Sequence, residues 1–415
     1  MVALEAFVSG SAYIILALFV GTLVAGSFVL PGDGPAPLRR ELLSCARVLL
    51  LAFLVVAVFS LLVQGAKLRG GSLPTLEILT RYVLRTQSGS IWFIRELYGA
   101  FLLLIMLGFM NGTNPARGAP WFLFLSLPLV ASRSLMSHAA AVRESTLLVV
   151  SADAIHLVVT ALWAGGLPVL FWVLWRGTKR LGLPLTWAAQ TVARFSRLAL
   201  SSVAVLVLTG LYQSWVHVQS WDALFGTPYG RVLLLKFFLF FSMAVLGAIN
   251  LFSTKPQLLK AGSSGSEEPL LRKKTLRRIG AESALGFFVL LVTGLLTVLP
   301  PGAHSRHLAQ ATATSHFHEE KKLEPAEGAS VKILSPREGE VMEGDQVPIH
   351  FKLVRGKRGH HVHTYVDGEL MGMFKSEKGT LTGIRPGQHA LEIRVVAEDH
   401  ETELDATDRV HFVVK

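Results

Sequence analysis

Eight long apolar stretches constrain this chain more than any other feature of its sequence. About 20 consecutive apolar residues cross the hydrocarbon core of a bilayer as an α-helix. Only 17% of the 415 residues are charged, whereas soluble proteins average about 25%. The sequence therefore predicts an α-helical integral membrane bundle of about eight transmembrane helices. The apolar stretches cover roughly residues 9–30, 42–64, 91–110, 120–137, 147–175, 198–218, 231–252 and 281–299.

Basic residues between the spans predict the orientation of the bundle. Cytoplasmic loops of membrane proteins are enriched in Lys and Arg. The loops after spans one, five and seven are basic, whereas residues 216–230 contain no Lys or Arg. Lys67, Arg69, Arg81 and Arg85 oppose this pattern but are outnumbered. We therefore expect a multi-pass protein of the cytoplasmic (inner) membrane with both termini outside the cytoplasm.

The net charge and the single cysteine exclude several classes of protein. The charge of +11 comes from Lys and Arg clustered between apolar stretches, so it indicates a lipid bilayer partner and no nucleic acid. Cys45 is the only cysteine, which excludes an internal disulfide and a thiolate-cluster metal site. The first span carries Glu5 and no basic residue on its N-terminal side, which argues against a cleaved signal peptide.

The composition changes after the last span. Residues 302–328 are polar and include His304, His307, His316 and His318, as expected of a His-bearing linker. Short alternating segments separated by Gly, Pro and Asp follow, which predicts a small all-β immunoglobulin-like sandwich. We therefore expect a membrane domain at 1–301, a linker at 302–328 and an extracytoplasmic β-sandwich domain at 329–415.

Ionisable residues collect at the outer face of the predicted bundle. Asp153 and His156 share one helix face, with His156 roughly 14 Å from the outer end of its span. His138 and His217 lie at the outer ends of neighbouring spans, and Met136 is two residues before His138. Imidazole and thioether groups without a usable thiolate favour copper, although imidazole alone also suits zinc or nickel.

Each of these residues also has a purely structural interpretation. Asp153 would form a buried ion pair with Arg133 on span four, and His156 would be a hydrogen-bonded interior side chain. His138 and His217 would be ordinary polar residues at the membrane surface. Trp163 would belong to the aromatic belt, and the Gly165-Gly166 pair would allow close helix packing.

A second candidate metal site lies in the predicted β domain. In the segment HHVHTYVDG, His361, His363 and Tyr365 face the same side of a strand. Met371 and Met373 follow the next turn and would add thioether ligands. The alternative is a polar sheet face with stacked rings.

Several motifs resemble the copper resistance protein D (CopD) family. They are SHAAA, DAIHLVVTALWAGGL, RFSRLALSSVAVLVLTGLYQSW and TPYGRVLLLKFFLF, with GSIWFIREL and ESALGFFVLLVTGLLTVLPP in addition. The resemblance covers roughly residues 80–301 well and the first two spans weakly. It implies an eight-span inner-membrane protein of copper uptake or tolerance. It also implies that His138, His156, Trp163 and Gly165 match the family's HA, DxxH and WxGG motifs.

The β domain departs from the family's usual arrangement. Members often occur beside, or fused to, a periplasmic copper-binding β domain of the CopC type. In this sequence the β domain follows the spans, so the resemblance leaves its metal role open.

Together, these observations predict copper transport and homeostasis and no enzymatic activity. Copper, as Cu(I) or Cu(II), would bind the outer His site and be moved across the membrane or handed on, with a periplasmic copper chaperone or cuproenzyme as a candidate partner. The sequence has no ATP-binding Gly-rich loop, so we expect passive, gradient-coupled or partner-driven movement. Three alternatives stay open: a copper-insertion factor without net transport, a haem-b redox protein, and a membrane-anchored domain that binds a protein partner.

Overall fold

The computed structural model describes most of the chain. The described residues are 2–32, 34–109, 118–136, 146–263, 269–299, 323–342, 346–382, 384, 387–398 and 402–414. They divide into two compact units, one within residues 1–305 and one within residues 306–415. The finer boundaries at 301 and 328 stay predictions.

The first unit is helical. Its α-helices are α1 (Val2–Val24), α2 (Ala36–Leu68), α3 (Leu76–Arg85), α4 (Gln87–Gly108), α5 (Ala119–Ala131), α6 (Thr146–Trp163), α7 (Gly166–Trp175), α8 (Leu185–Val218), α9 (Trp221–Gly226), α10 (Pro228–Ile249), α11 (Lys255–Ser263) and α12 (Pro269–Leu296). Three π-helical turns, at Ala25–Val29, Arg176–Arg180 and Asn250–Thr254, extend α1, α7 and α10.

Eight helical segments of the described chain are long and apolar enough to cross a membrane, which confirms the predicted bundle. They are Ala3–Val29, Ala36–Leu68, Gln87–Gly108, Ala119–Met136, Leu147–Arg180, Leu185–Val218, Pro228–Ala261 and Pro269–Leu296. Several run further than the apolar stretches do. The sixth begins at Leu185 rather than near residue 198, because its first turns bury Leu185, Trp187 and Ala188 inside the unit.

Helix α1 is the most enclosed of these helices. It packs against α2, α5, α6, α7 and α12, and the side chains of Phe19 and Val20 are fully buried. A helix that is apolar all round is suited to a central position. The first span therefore forms the core against which these five helices pack.

Close helix contacts in the bundle depend on glycine, as the Gly165-Gly166 pair predicted. A Cβ atom added at Gly165 would overlap the Ala17 carbonyl of α1, and one added at Gly21 would overlap Gly165. Glycine lets the backbones of membrane helices approach directly. This contact holds α1 against the junction of α6 and α7.

The second unit is a β-sandwich of two sheets, as predicted. Its strands are β1 (Ser330–Ser335), β2 (Glu340–Met342), β3 (Gln346–Val354), β4 (Gly359–Val366), β5 (Glu369–Phe374), β6 (Lys378–Thr382), β7 (Gly387–Ala397) and β8 (Glu403–Val414). One sheet has the order β1-β3-β6 and the other β2-β8-β7-β4-β5. Phe351, Val362, Leu391 and Ile393 are fully buried between them. Strand β4 lies inside the larger sheet, between β7 and β5.

Candidate functional site

His156 is held in a defined orientation by a neighbouring helix. Its Nδ1 lies 2.9 Å from Thr209 Oγ1 on α8, and Thr209 donates its own proton to the Val205 carbonyl at 2.8 Å. Because that hydroxyl proton is already used, Thr209 accepts from His156 Nδ1–H. In the neutral imidazole, the other ring nitrogen, Nε2, then carries the lone pair. A second group fixing the tautomer in this way is typical of metal-ligating histidines.

His156 lines a narrow cavity inside the bundle. The cavity measures about 30 Å³ and is also lined by Tyr13, Arg133, Thr160 and Lys236. A cavity of roughly 10–15 Å³ already admits a water molecule, so an ion or water fits beside the imidazole. The site thus combines a neutral nitrogen donor with two cationic side chains.

Lys236 is a member of this site that the sequence analysis missed. It lies on α10 within the apolar run LLLKFFLFF and interacts electrostatically with both Asp153 and His156. A lysine inside a membrane span is itself a functional signal. Its positive charge opposes a cation at His156 and attracts the carboxylate of Asp153.

Arg133 does not neutralise Asp153 in the described part of the chain. It has no ion pair there with Asp153; its guanidinium stacks 4.6 Å from the centre of the Tyr13 ring, and Nη2 donates to Ser9 Oγ at 3.4 Å. The structural alternative of an Arg133–Asp153 pair is therefore wrong among these residues.

Met136 contacts an arginine. Its Sδ accepts a hydrogen bond from Arg95 Nη1 at 3.5 Å, and Arg95, 3% exposed, forms an ion pair with Glu96 at 3.1 Å. The Arg95–Glu96 pair was also missed, although RE inside an apolar span is a visible signal. A thioether occupied by arginine is a poor candidate for a copper ligand in this conformation.

The structure describes the surroundings of the other predicted membrane ligands only in part. His217 lies in the last turn of α8, and Gln213, one turn earlier, donates to the Ala152 carbonyl beside Asp153 at 3.4 Å. The end of α8 therefore lies next to the Asp153 turn of α6. His138 lies outside the described residues. Among those described, no group of three or more His, Cys, Asp or Glu side chains is arranged to hold a metal ion.

Trp163 belongs to the interior of the bundle. It is 2% exposed and packs edge-on against Phe240 at 5.8 Å. Its assignment to the aromatic belt is therefore wrong, whereas Trp215 and Trp221, 75% and 76% exposed, fit such a belt.

The β-sandwich brings two of its predicted ligands together. His361 and His363 of β4 are 1% and 7% exposed, and their Nε2 atoms lie 3.3 Å apart. Two nitrogen ligands of one tetrahedral ion have a similar separation, because each bond to the metal is about 2.0–2.1 Å. His360 adjoins them, with 3.3 Å between its Nδ1 and that of His361.

The two methionines near this pair differ in position. Met373 lies directly opposite His363 in the β4–β5 ladder, so both side chains share a face of the sheet. Met371 lies at the irregularity in that ladder and packs against the apolar interior of the sandwich. Of the two predicted thioether ligands, the fold places only Met373 beside the histidines.

Glu403 of β8 anchors the same face. It accepts hydrogen bonds from Tyr365 Oη and from Arg394 Nη1 at 2.9 Å, and its Oε1 is 3.6 Å from His363 Nδ1. Burial alone would raise the pKa of Glu403, but its interactions with His363, Tyr365 and Arg394 outweigh burial and lower that pKa to about 2. Burial and the bond to Glu403 raise the pKa of Tyr365.

Together, the spans and the sandwich define a multi-pass membrane protein with a β-sandwich unit, and comparison with known proteins gives its family. Residues 189–296 match the family described as Copper resistance protein D, and residues 3–146 match Copper resistance protein D-like, N-terminal domain. The two matches together cover more than half of the chain. The chain belongs to the copper resistance protein D family.

One curated relative extends the similarity. "Copper transport protein CutJ" of Bacillus subtilis (strain 168) is 28% identical over 330 residues, which are 77% of this chain and 56% of that protein. The chain thus spans about half the length of that relative. One similar solved structure is described as "Structures of Clostridium thermocellum CbhA fibronectin(III)-like modules". Its sequence is 22% identical, and the match covers 20% of this chain and 95% of the matched chain. The TM-score of 0.18 is too low to bear on the fold.

We predict that Glu403 makes the β-sandwich sensitive to acid. Its pKa is lowered from 4.5 to about 2, so its contribution is complete above pH 4.5 and is lost as the pH falls toward 2. The free energy of unfolding should drop by up to roughly 3 kcal/mol across this window. Hydrogen exchange of β7 and β8 in the full chain, measured by mass spectrometry, would follow this loss.

Glu403→Gln should remove that acid dependence, since the amide does not titrate. The exposed Glu377→Gln, on the loop between β5 and β6, is the matched control and should keep the wild-type profile. An unchanged acid profile in Glu403→Gln would contradict the assignment.

Proposed function

We propose that this protein binds copper in the outer half of its membrane unit and moves it across the cytoplasmic membrane. Membership of the copper resistance protein D family supports copper as the cargo, as does similarity to a protein named as a copper transport protein. The orientation derived from loop charges places His156, Asp153 and His217 toward the outside. In this proposal the protein is a transporter and not an enzyme.

One observation carries the membrane site: His156 is a neutral imidazole whose Nε2 lone pair is fixed in advance. Thr209 holds Nδ1 at 2.9 Å, so the ring needs no change of tautomer to bind a metal. Imidazole binds both Cu(I) and Cu(II). Asp153, His138 and His217 complete the proposed set of ligands, while Arg133 and Trp163 support the surrounding structure.

Lys236 adapts this site to transport rather than storage. Its charge lies close enough to act on both His156 and Asp153, so an arriving copper ion must displace the interaction between Lys236 and Asp153. A transport site has to bind its ion strongly enough to admit it and weakly enough to release it. Competition from a fixed lysine provides that weak binding.

The β-sandwich is proposed to collect copper through His361, His363 and Met373. The 3.3 Å separation of the two Nε2 atoms and the register of Met373 with His363 support a shared ion. Burial of both imidazoles favours one defined geometry over loose surface binding. The orientation from loop charges puts this unit outside the cytoplasm, where it would meet a copper chaperone or cuproenzyme.

The membrane site is tested by His156→Ala and by Thr209→Val in the purified full chain. His156→Ala should lose the copper bound by the membrane unit, because its nitrogen ligand is gone. Thr209→Val keeps the imidazole but removes the hydroxyl group that fixes its tautomer. The copper affinity should therefore fall by about 10- to 100-fold. Competition titration with a copper chelator measures both.

Thr191→Val is the matched control for Thr209→Val. Thr191 also lies on α8 and donates to the carbonyl one turn earlier, at 2.8 Å, but it has no contact with His156. The copper affinity of the Thr191→Val protein should equal that of the wild type. Equal affinity in all three variants would remove His156 from the site.

The β-sandwich site is tested separately by replacing His361 and His363 with alanine. Metal analysis by mass spectrometry should show loss of the copper bound by this unit while the copper bound at His156 stays. His350→Ala, on β3 of the other sheet, should keep both. If the double variant retains the full copper content, the paired imidazoles are structural.

Transport and copper insertion differ in where copper goes. Proteoliposomes that contain a copper indicator should respond to external copper with the wild-type chain and not with His156→Ala. A protein that only hands copper to a cuproenzyme would leave the interior free of copper in both cases. That outcome would favour the insertion alternative and would leave the binding site intact.

A further inference from the structure

A second cavity in the membrane unit contains a buried carboxylate that the copper site does not use. The cavity measures about 210 Å³ and lies among α6, α7, α8, α10 and α12. Glu282 of α12 lines it and is 4% exposed. None of the other described residues that line it is ionisable. A carboxyl group inside a membrane span is costly, and such groups usually mark ion or proton pathways.

Glu282 receives hydrogen bonds from a chain of polar groups. Asn250 Nδ2 donates to Glu282 Oε2 at 2.9 Å, Thr254 Oγ1 donates to Asn250 Oδ1 at 3.1 Å, and Arg278 Nη1 donates to Thr254 at 2.7 Å. Asn250 and Thr254 belong to the π-helical turn that extends α10. Such turns occur frequently at functional sites, and this one directs both side chains toward α12.

Glu282 has no ion pair among the described residues. Arg278 is the positively charged member of this hydrogen-bonded series, and it is linked to Glu282 through Thr254 and Asn250. An isolated carboxylate in a medium of low dielectric constant takes up a proton instead of remaining charged. Burial without an ion pair therefore favours the protonated form of Glu282. An arriving cation would provide the missing opposite charge and stabilise the ionised form.

The cavity also contains an indole N–H that has no hydrogen-bond partner among the described residues. Trp163 Nε1 is buried and lies near the Glu282 carboxyl without completing a hydrogen bond. Gly247 of α10 faces the other carboxyl oxygen, since a Cβ there would lie 3.1 Å from Oε1. The carboxyl group thus has a hydrogen-bond donor at Oε2 and a glycine next to Oε1. No bulky side chain at Gly247 prevents a proton from being added to Oε1 or removed from it.

Helix α6 connects this cavity to the copper site. His156 and Thr160 line the smaller cavity, and Trp163, less than one turn after Thr160, lines the larger one. Successive turns of α6 therefore line the two cavities.

We propose that Glu282 couples copper movement to proton movement: it holds a proton while its cavity is empty and releases that proton when the copper ion enters. This inference rests on the proposed copper transport. Each turnover exchanges one copper ion for one proton on the carboxyl, so the charge of the cavity changes little. That balance lowers the cost of moving the ion through the hydrocarbon.

Infrared difference spectroscopy of the full chain in nanodiscs tests the protonation without copper. The wild-type chain at neutral pH should show a protonated carboxyl band that disappears at alkaline pH, and Glu282→Gln should lack it. Glu41→Gln is the matched control: Glu41 is also on a membrane helix but forms an ion pair with Arg176 at 2.7 Å, so its variant should keep the band. A band that persists in Glu282→Gln would overturn the assignment.

Proton release and flux test the coupling itself. On addition of Cu(I), the wild-type chain should release one more proton per bound copper than Glu282→Gln does. In proteoliposomes, a pH gradient should alter the copper flux of the wild type and of Glu41→Gln but not that of Glu282→Gln. Equal proton release and equal gradient dependence in the wild type and Glu282→Gln would sink the proposal.

The two levels of inference fail in different ways. If His156→Ala loses copper while Glu282→Gln matches the wild type in every measurement, the copper site stands and the proton coupling is wrong. If the wild-type chain binds no copper, the proposed function is wrong and the coupling falls with it, whereas the infrared band still reports whether Glu282 is protonated.

Discussion

Hydrocarbon cannot solvate an ionised side chain, and this constraint governs the membrane unit. Each charged group within a span must find a counter-charge, a hydrogen-bond donor or a cavity. Arg95 has Glu96, Lys236 interacts with Asp153, and Glu282 has Asn250. Lys236 and Asp153 lie on α10 and α6. Asn250 lies in the turn after α10, and Glu282 lies on α12. Satisfying these two pairs therefore also constrains how the helices face one another. The need to stabilise ionisable side chains therefore governs both the helix packing and the positions of the functional groups.

The helix packing makes these arrangements possible. Direct backbone contact joins α1 to the junction of α6 and α7 at Gly21 and Gly165, where a Cβ atom would overlap the opposite backbone. The part of α6 before that contact carries His156 and Thr160, and Trp163 ends the helix. The glycine contact therefore lies at the end of α6 beside the residues that line the two cavities.

The β-sandwich also buries polar side chains, although its described residues form strands rather than membrane spans. Two imidazoles on β4 are almost fully buried, which is unusual for polar groups unless they are hydrogen-bonded. Their Nε2 atoms lie within hydrogen-bond distance of one another, at 3.3 Å. Glu403, with Tyr365 and Arg394, supplies the negative charge on that face. His363 Nδ1 is left without a hydrogen bond, so this polar face is not completely satisfied by the described residues alone.

The sequence by itself determined the class of the protein, because its strongest signals are local. Span length and loop charge follow from runs of residues, and strand alternation in HHVHTYVDG put His361 and His363 on one face. His156 and Asp153 stand out for the same reason. The motifs around them are specific enough to indicate the copper resistance protein D family from the order of residues alone.

Only the tertiary structure decided which distant residues meet. No pattern along the chain shows that Thr209 fixes the tautomer of His156, that Arg133 stacks on Tyr13, or that Met136 is held by Arg95. Lys236 and Glu282 were visible as charges in apolar spans, but their roles depend on what faces them from other helices. Those contacts arise from helix packing, which brings together residues separated by tens to hundreds of positions and which local periodicity does not encode.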